Sequence, residues 1–256
     1  MGKQMPKFFI NPPTNGEGKN KTPIIIEGED AYHLARVLRA KPGAQITASD
    51  GQGRCYEVIL TEVTPESVRG EVLKVLPDQA EPALKITLCQ SILKGEKMDW
   101  VLQKGTELGI TAFIPFLSTR TIARPAPPQF AKKRERWAKI VTAAAKQSGR
   151  GVIPVVHPIT SWGGLAGVLT AGYTLVAWEG EENHSLRQVL TTRFPTAPAE
   201  IRLVIGPEGG FAPEEITMLT AWGAAPVSLG PRILRAETAG PLTAALILYH
   251  YGGFEP

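Results

Sequence analysis

From Lys85 onward the chain alternates short apolar runs with amphipathic stretches, and few folds accommodate that grammar. Strands are expected at 86–90, 112–117, 173–178, 201–205 and 225–229, with a weaker one at 152–157. Helices are expected between them. One covers 97–108 and ends at Gly109, and another covers 134–148 and ends at Gly149, each glycine suiting a C-terminal cap. A third opens on Pro213-Glu214-Glu215, where proline fits a first turn and the carboxylates meet the positive helix end. The last runs to Tyr251. This alternation predicts an α/β fold, a parallel sheet covered by helices on both faces, with ligands beyond the carboxyl ends of the strands.

Up to about Leu76 the grammar differs. Ile24-Ile25-Ile26 predicts a strand, and Glu29-Asp30 opens a helix whose apolar stripe is Leu34, Val37 and Leu38. Strands follow at 45–49, 55–63 and 67–75, the first two joined by Asp50-Gly51-Gln52-Gly53, which carries the glycines a hairpin loop needs. A small β-rich barrel at 1–76 is expected. The proline-bearing polar stretch 77–84 is the natural linker, and 85–256 forms the second domain.

The 256 residues are 43% apolar and 20% charged, ordinary for a soluble globular protein, and no apolar run approaches the ~18 residues that span a bilayer. Phe8-Phe9-Ile10 is too short for the hydrophobic region of a signal peptide, so a cytoplasmic location is expected. Cys55 and Cys89 stand far apart with no CxxC spacing and no histidine neighbour, so neither a zinc site nor a disulfide framework is indicated and buried reduced thiols are expected. The net charge of +4 is uninformative as an average. Its distribution is not: between Arg120 and Arg150 nine lysines and arginines face only Glu135, a local +8. Such a strip predicts salt-dependent contact with phosphates, through Arg124, Lys132, Lys133, Arg136, Lys146 and Arg150, extended by Arg36 and Arg39 on the N-terminal helix.

The stretch Leu203-Val204-Ile205-Gly206-Pro207-Glu208-Gly209-Gly210-Phe211 is a buried strand breaking into three glycines before a helix. It lacks the G-x-G-x-x-G pattern of nicotinamide and flavin sites and the Gly-Lys-Ser/Thr ending of a phosphate loop. A plain tight turn and a close backbone approach to a ligand both fit it. A second unusual loop follows the next strand, Leu229-Gly230-Pro231-Arg232-Ile233-Leu234-Arg235-Ala236-Glu237-Thr238-Ala239, so two consecutive strand ends carry such segments.

Together these two loops closely resemble the RsmE family, 16S rRNA uridine-N3 methyltransferases of the SPOUT class. The resemblance extends to Lys94-Gly95-Glu96-Lys97-Met98-Asp99, to 103–109, to Arg134-Glu135-Arg136-Trp137, to 145–150 and to His33–Arg39 followed by Asp50-Gly51. It implies a SPOUT-type catalytic domain with a C-terminal trefoil knot, a PUA-like RNA-binding barrel, a homodimer, and S-adenosylmethionine as cofactor. The implied target is a uridine in the decoding region of 16S rRNA in the small ribosomal subunit, with no metal and no membrane. Gly240-Pro241 departs from the family motif and leaves the start of the last helix open. Val152 stands where the family carries an arginine, which removes one phosphate contact.

Carried over by residue, the implied cofactor wall comprises Trp178, Ile205, Gly206, Glu208, Gly209, Gly210, Leu229, Gly230, Leu234, Thr238 and Ala239. Glu208 has three open roles, holding the neighbouring loop through backbone N–H bonds, lying near the sulfonium or capping the next helix, and Thr238 is open between helix cap and ligand contact. Arg120, in the family's Ser-x-Arg position, is the implied catalytic residue: guanidinium stays protonated, so it serves not as a base but as a donor to the charge that spreads over the uracil oxygens. His157 and His184 read as structural, and no general base is legible. A non-catalytic RNA-binding or ribosome-assembly protein and a ribose 2′-O-methyltransferase of the same class are the competing functions.

Overall fold

A computed structural model describes residues 7–11, 22–77, 80–169 and 172–255. The chain divides into a first unit of Met1–Glu81 with Ala145–Ile153, and a second of Pro82–Ala144 with Pro154–Pro256.

The first unit holds β1 (Phe8–Phe9), β2 (Thr22–Glu27), β3 (Gln45–Ser49), β4 (Arg54–Val63) and β5 (Ser67–Pro77) in one sheet of order β1-β3-β4-β5-β2. All neighbours are antiparallel except β1 and β3. Alternate residues point inward, so Ile24, Ile26, Ile46, Ala48, Val58 and Leu60 share one core. The β3–β4 turn is an Asx turn: Asp50 Oδ1 accepts the N–H groups of Gln52 at 2.8 Å and Arg54 at 3.1 Å. Gly51 and Gly53 have φ of 72° and 100°, conformations a side chain would strain. Residues 145–153 complete this unit. Ser49 Oγ donates to the Gly151 carbonyl at 2.7 Å, and the Ile153 N–H donates to Gly51 O at 3.0 Å.

One expectation fails here. The helix α1 (Glu29–Tyr32) passes directly into a π-helical turn, His33–Val37, in which the Leu38 N–H reaches back five residues to His33 O at 2.9 Å. The wider turn shifts the register of the face. Ala31 and Leu34 are buried, whereas Val37 is 59% and Leu38 38% exposed, so the three-residue stripe reduces to Leu34.

The second unit holds β6 (Lys85–Ser91), β7 (Ala112–Phe116), β8 (Val155–Val156), β9 (Tyr173–Ala177), β10 (Glu200–Ile205) and β11 (Ala224–Val227), all neighbours parallel, in the order β11-β9-β10-β6-β7-β8. Its helices are α2 (Lys97–Glu107), α3 (Phe130–Ser148), α4 (Trp162–Leu169), α5 (Leu186–Arg193), α6 (Pro213–Ala221) and α7 (Ala236–His250). Sequence reasoning did not delimit α4 and α5. It also started α3 four residues late, since the helix already begins at Phe130.

Strand periodicity sends adjacent residues to opposite faces, and both faces are covered. Cys89, Ile114, Phe116, Val176 and Val204 pack with Leu165 and Leu169 of α4 and with Ile216 and Leu219 of α6. Their sequence neighbours Phe113 and Leu88 face α2 and α7. A Cβ on Gly105 would lie 2.9 Å from Phe113 Cε1, and one on Gly240 would lie 3.2 Å from Leu88 Cδ2. Because every strand is parallel, the carboxyl ends meet along one edge. There β10 sits between β6 and β9, out of chain order, which brings the loops after β6, β9 and β10 together.

Both cysteines are buried and neither is in a disulfide, and burial pushes the Cys89 thiol up to about 12. Among the described residues no helix is long and apolar enough to cross a membrane, and no grouping of His, Cys, Asp and Glu could hold a metal ion.

Candidate functional site

The loops after β9, β10 and β11 enclose two adjoining cavities of ≈ 490 and ≈ 480 Å³ that share Ala177, Glu179, Ile233, Leu234 and Ala239. Ile205, Gly206, Glu208, Gly209 and Gly210 line the first, and Trp178, Leu229 and Gly230 the second. The glycines are there for steric reasons. Gly210, at φ 65°, closes a turn with its N–H on Pro207 O at 3.0 Å, and a Cβ there would collide with the Glu179 carboxylate. A Cβ on Gly206 would meet the Phe211 ring at 3.2 Å. That ring is 3% exposed and stacked on Phe116, with centroids 6.5 Å apart.

Thr238 lines neither cavity. Its N–H donates to Arg235 O at 2.9 Å within the opening turn of α7, whose first residue is Ala236. Gly240-Pro241 therefore lies inside the helix, with Gly240 buried against Leu88.

Glu208 holds the neighbouring loop. Its Oε1 accepts the Lys94 N–H at 2.9 Å and tethers the β6–α2 loop, with the Lys97 ammonium 3.6 Å away. Burial pushes the Glu208 carboxyl up, but the Lys94 and Glu208 N–H groups and the Lys97 ammonium together outweigh it and hold it below the usual range. Lys97 also stands 3.4 Å from Glu237 Oε2. That contact has ion-pair distance without hydrogen-bond geometry, so Glu237 Oε2, like Glu208 Oε2 and Gln90 Oε1, is a buried acceptor lacking a hydrogen-bond partner. Lys97 and Glu237 line the first cavity, and sequence reasoning missed both. Each stood within a quoted motif, but their pairing spans elements remote in sequence.

Arg120 follows β7 in a loop braced by buried hydroxyls. Ser91 Oγ lies 2.9 Å from Thr121 Oγ1 and 3.3 Å from Ser118 Oγ. The exposed Arg120 side chain crosses to the glycine loop, where Nη1 donates to Gly209 O at 3.0 Å. His184 lines neither cavity, and its Nδ1 is 3.0 Å from Glu181 Oε1.

The basic strip requires correction. Arg150 is 2% exposed and pairs with Glu81 at 3.0 and 2.6 Å, so it cannot contact a phosphate. Arg136 grips Asp99 through both oxygens at 2.7 and 2.6 Å, and Lys146 holds Asp30 at 2.9 and 2.7 Å. Three carboxylates distant in sequence thus lower the local +8 to +5, which a count along the chain cannot see. Arg124 folds back on its own loop, donating to Ser118 O and Thr119 O at 2.8 Å each and to Thr121 O at 3.0 Å. Lys132 is exposed, and Lys133 stands 5.8 Å over the Trp137 ring. In the first unit Arg36 and Arg39 are exposed, Arg39 with a φ of 52°.

Comparison with known proteins decides the lineage. An RNA methyltransferase domain family matches residues 80–248, and an RNA methyltransferase PUA domain family matches 26–73. The ribosomal RNA small subunit methyltransferase E of Bacillus subtilis is 32% identical over 96% of both chains, and that of Synechocystis is 36% identical over 88% of this chain and 72% of its own. The chain belongs to the small subunit methyltransferase E family. A family member from Neisseria gonorrhoeae, solved bound to S-adenosyl methionine, superposes with a TM-score of 0.78 at 31% identity, covering 98% of this chain and 99% of its own. A Legionella pneumophila protein solved with the cofactor SAM gives 0.80 at 29% identity, over 95% and 97%. Against this family the first unit contains the PUA-like domain, and the parallel sheet of the second belongs to the methyltransferase domain.

Proposed function

We propose that this chain transfers a methyl group from S-adenosylmethionine to N3 of a uridine in the decoding region of 16S rRNA, acting on the small ribosomal subunit in the cytoplasm. The observation that carries the reading is the guanidinium of Arg120 held on the Gly209 carbonyl, a fixed cation at the rim of the glycine cradle. The residues present fit the cofactor. Gly206 and Gly210 present bare backbone to the first cavity, Leu229 and Leu234 offer apolar cover for a flat base, and the Glu208 and Glu237 oxygens that accept no hydrogen bond offer acceptors for hydroxyl or ammonium donors.

When bound, S-adenosylmethionine supplies an electrophilic methyl group. The chain supplies the rest. Loss of the uridine imino proton spreads negative charge over O2 and O4, and Arg120 is placed to donate to that charge without losing its own proton. The target base must leave its stack to reach the cavity, and exposed cations such as Lys132 hold the surrounding backbone without reading sequence. Two further features belong to this proposal. The insertion of β10 between β6 and β9 is consistent with a trefoil knot through which loops 206–210 and 229–239 wrap the cofactor. The homodimer is supported by a groove of ≈ 780 Å³ between α5 and α7, bordered by exposed Leu246, Tyr249 and Phe254. Leu246→Glu should yield monomers in sedimentation equilibrium, and an unchanged dimer would place the interface elsewhere.

The deciding experiment incubates unmodified small subunits with the protein and labelled S-adenosylmethionine, then maps the label and identifies the nucleoside by mass spectrometry. N3-methyluridine is expected. A ribose-methylated nucleoside, or no transfer at all, would overturn the reading.

A further inference from the structure

Glu215 occupies the third position of α6, where a glutamate commonly turns back to its own N-cap, and its Oε2 does accept the Ala212 N–H at 2.9 Å. Its other oxygen does something helix capping does not require. Glu215 Oε1 accepts the Thr119 N–H at 2.8 Å, from the loop after β7, 96 residues away in sequence. Thr119 immediately precedes Arg120, and Ala212 lies just past the glycine cradle 206–210. The carboxylate is 3% exposed, so each of its oxygens is engaged in a water-poor setting where a charged acceptor holds N–H groups strongly.

Two loops are therefore joined twice: once through the buried Glu215 carboxylate, and once through Arg120 Nη1 on Gly209 O at 3.0 Å. The first joint fixes the Arg120 backbone, leaving the second to set only the side chain. On the opposite flank, Ser118 N–H donates to Thr121 Oγ1 at 2.8 Å and Arg124 closes on the carbonyls of Ser118 and Thr119, so the loop is held from both sides.

We propose that Glu215 is a positioning residue for methyl transfer, stapling the loop that carries Arg120 to the cofactor-binding loop so that the guanidinium sits at a fixed distance from the transferred methyl. This rests on the catalytic reading of Arg120. Misplacement by about 1 Å can cost roughly 100-fold in rate, so loss of the staple should be visible well above error.

The test is a double-mutant cycle using Glu215→Gln, an isosteric change that keeps one acceptor for one of the two N–H groups, in the presence and absence of Arg120→Ala. Single-turnover methylation of small subunits is measured with S-adenosylmethionine affinity by calorimetry alongside. With Arg120 present, Glu215→Gln should slow the step about tenfold with cofactor affinity within about twofold; with Arg120→Ala already in place it should have almost no further effect. Glu215→Asp, whose shorter side chain still carries two acceptors, should recover part of the rate. An equal loss in both backgrounds, or no loss in either, overturns the positioning role. Full activity of Arg120→Ala alone would instead overturn the catalytic reading on which it stands, so the two failures are separable.

Discussion

Replacing Arg120 by alanine is expected to lower single-turnover methylation by about 100- to 1000-fold while leaving S-adenosylmethionine affinity within about twofold, the range seen when one preorganised donor to a developing oxyanion is removed. The asymmetry follows from the geometry. Arg120 bonds the glycine loop through Nη1 on Gly209 O, an exposed contact, and it is not among the residues lining either cavity. On the proposed reading, its removal leaves the cradle intact but takes away the positive charge offered to the uracil oxygens. Lysine in its place keeps charge but not the planar fork, and should restore only part of the rate. Turnover unchanged in Arg120→Ala would dismiss the residue from the chemistry.

Gly206→Val should have the opposite signature. Its Cβ alone comes within 3.2 Å of the Phe211 ring, and two further methyls cannot be absorbed there, because Phe211 is wedged among Phe116 and Trp162. The loop must move instead. Overpacking of this kind costs about 1–3 kcal/mol, and where that cost falls on the cavity wall, cofactor binding weakens by roughly 10- to 100-fold. Calorimetric titration with S-adenosylmethionine checks this, and an unaltered affinity would remove Gly206 from the cradle.

Much of the architecture could be read in advance because it rests on local rules. Alternating apolar runs marked all six strands of the second unit, and Gly109 and Gly149 marked helix ends at positive φ. The π-helical turn was invisible, since a widened turn leaves no trace in a 3.6-residue pattern, and Val37 and Leu38 were placed inward when they face out. The site shows the same division. The glycine loops and Arg120 are contiguous signatures and were named. Lys97, Glu237 and Glu215 act through partners from other elements, and Arg150 looked like a surface cation until Glu81 was found against it. Charge counted along a window measures composition, whereas phosphate contact needs exposure.

The return of residues 145–153 to the first unit bears on how this protein is made. Ser49 is synthesised early, yet the carbonyl it bonds belongs to Gly151, 102 residues further along. Arg150, buried with Glu81, is likewise late. At roughly 5–20 residues per second, the ribosome takes about 5 to 20 s to span that interval. Until then the N-terminal sheet has an unfilled side, so an assembly that looks modular in sequence is sequentially dependent in time, and a chain truncated after the linker would carry a wound where its last nine residues belong.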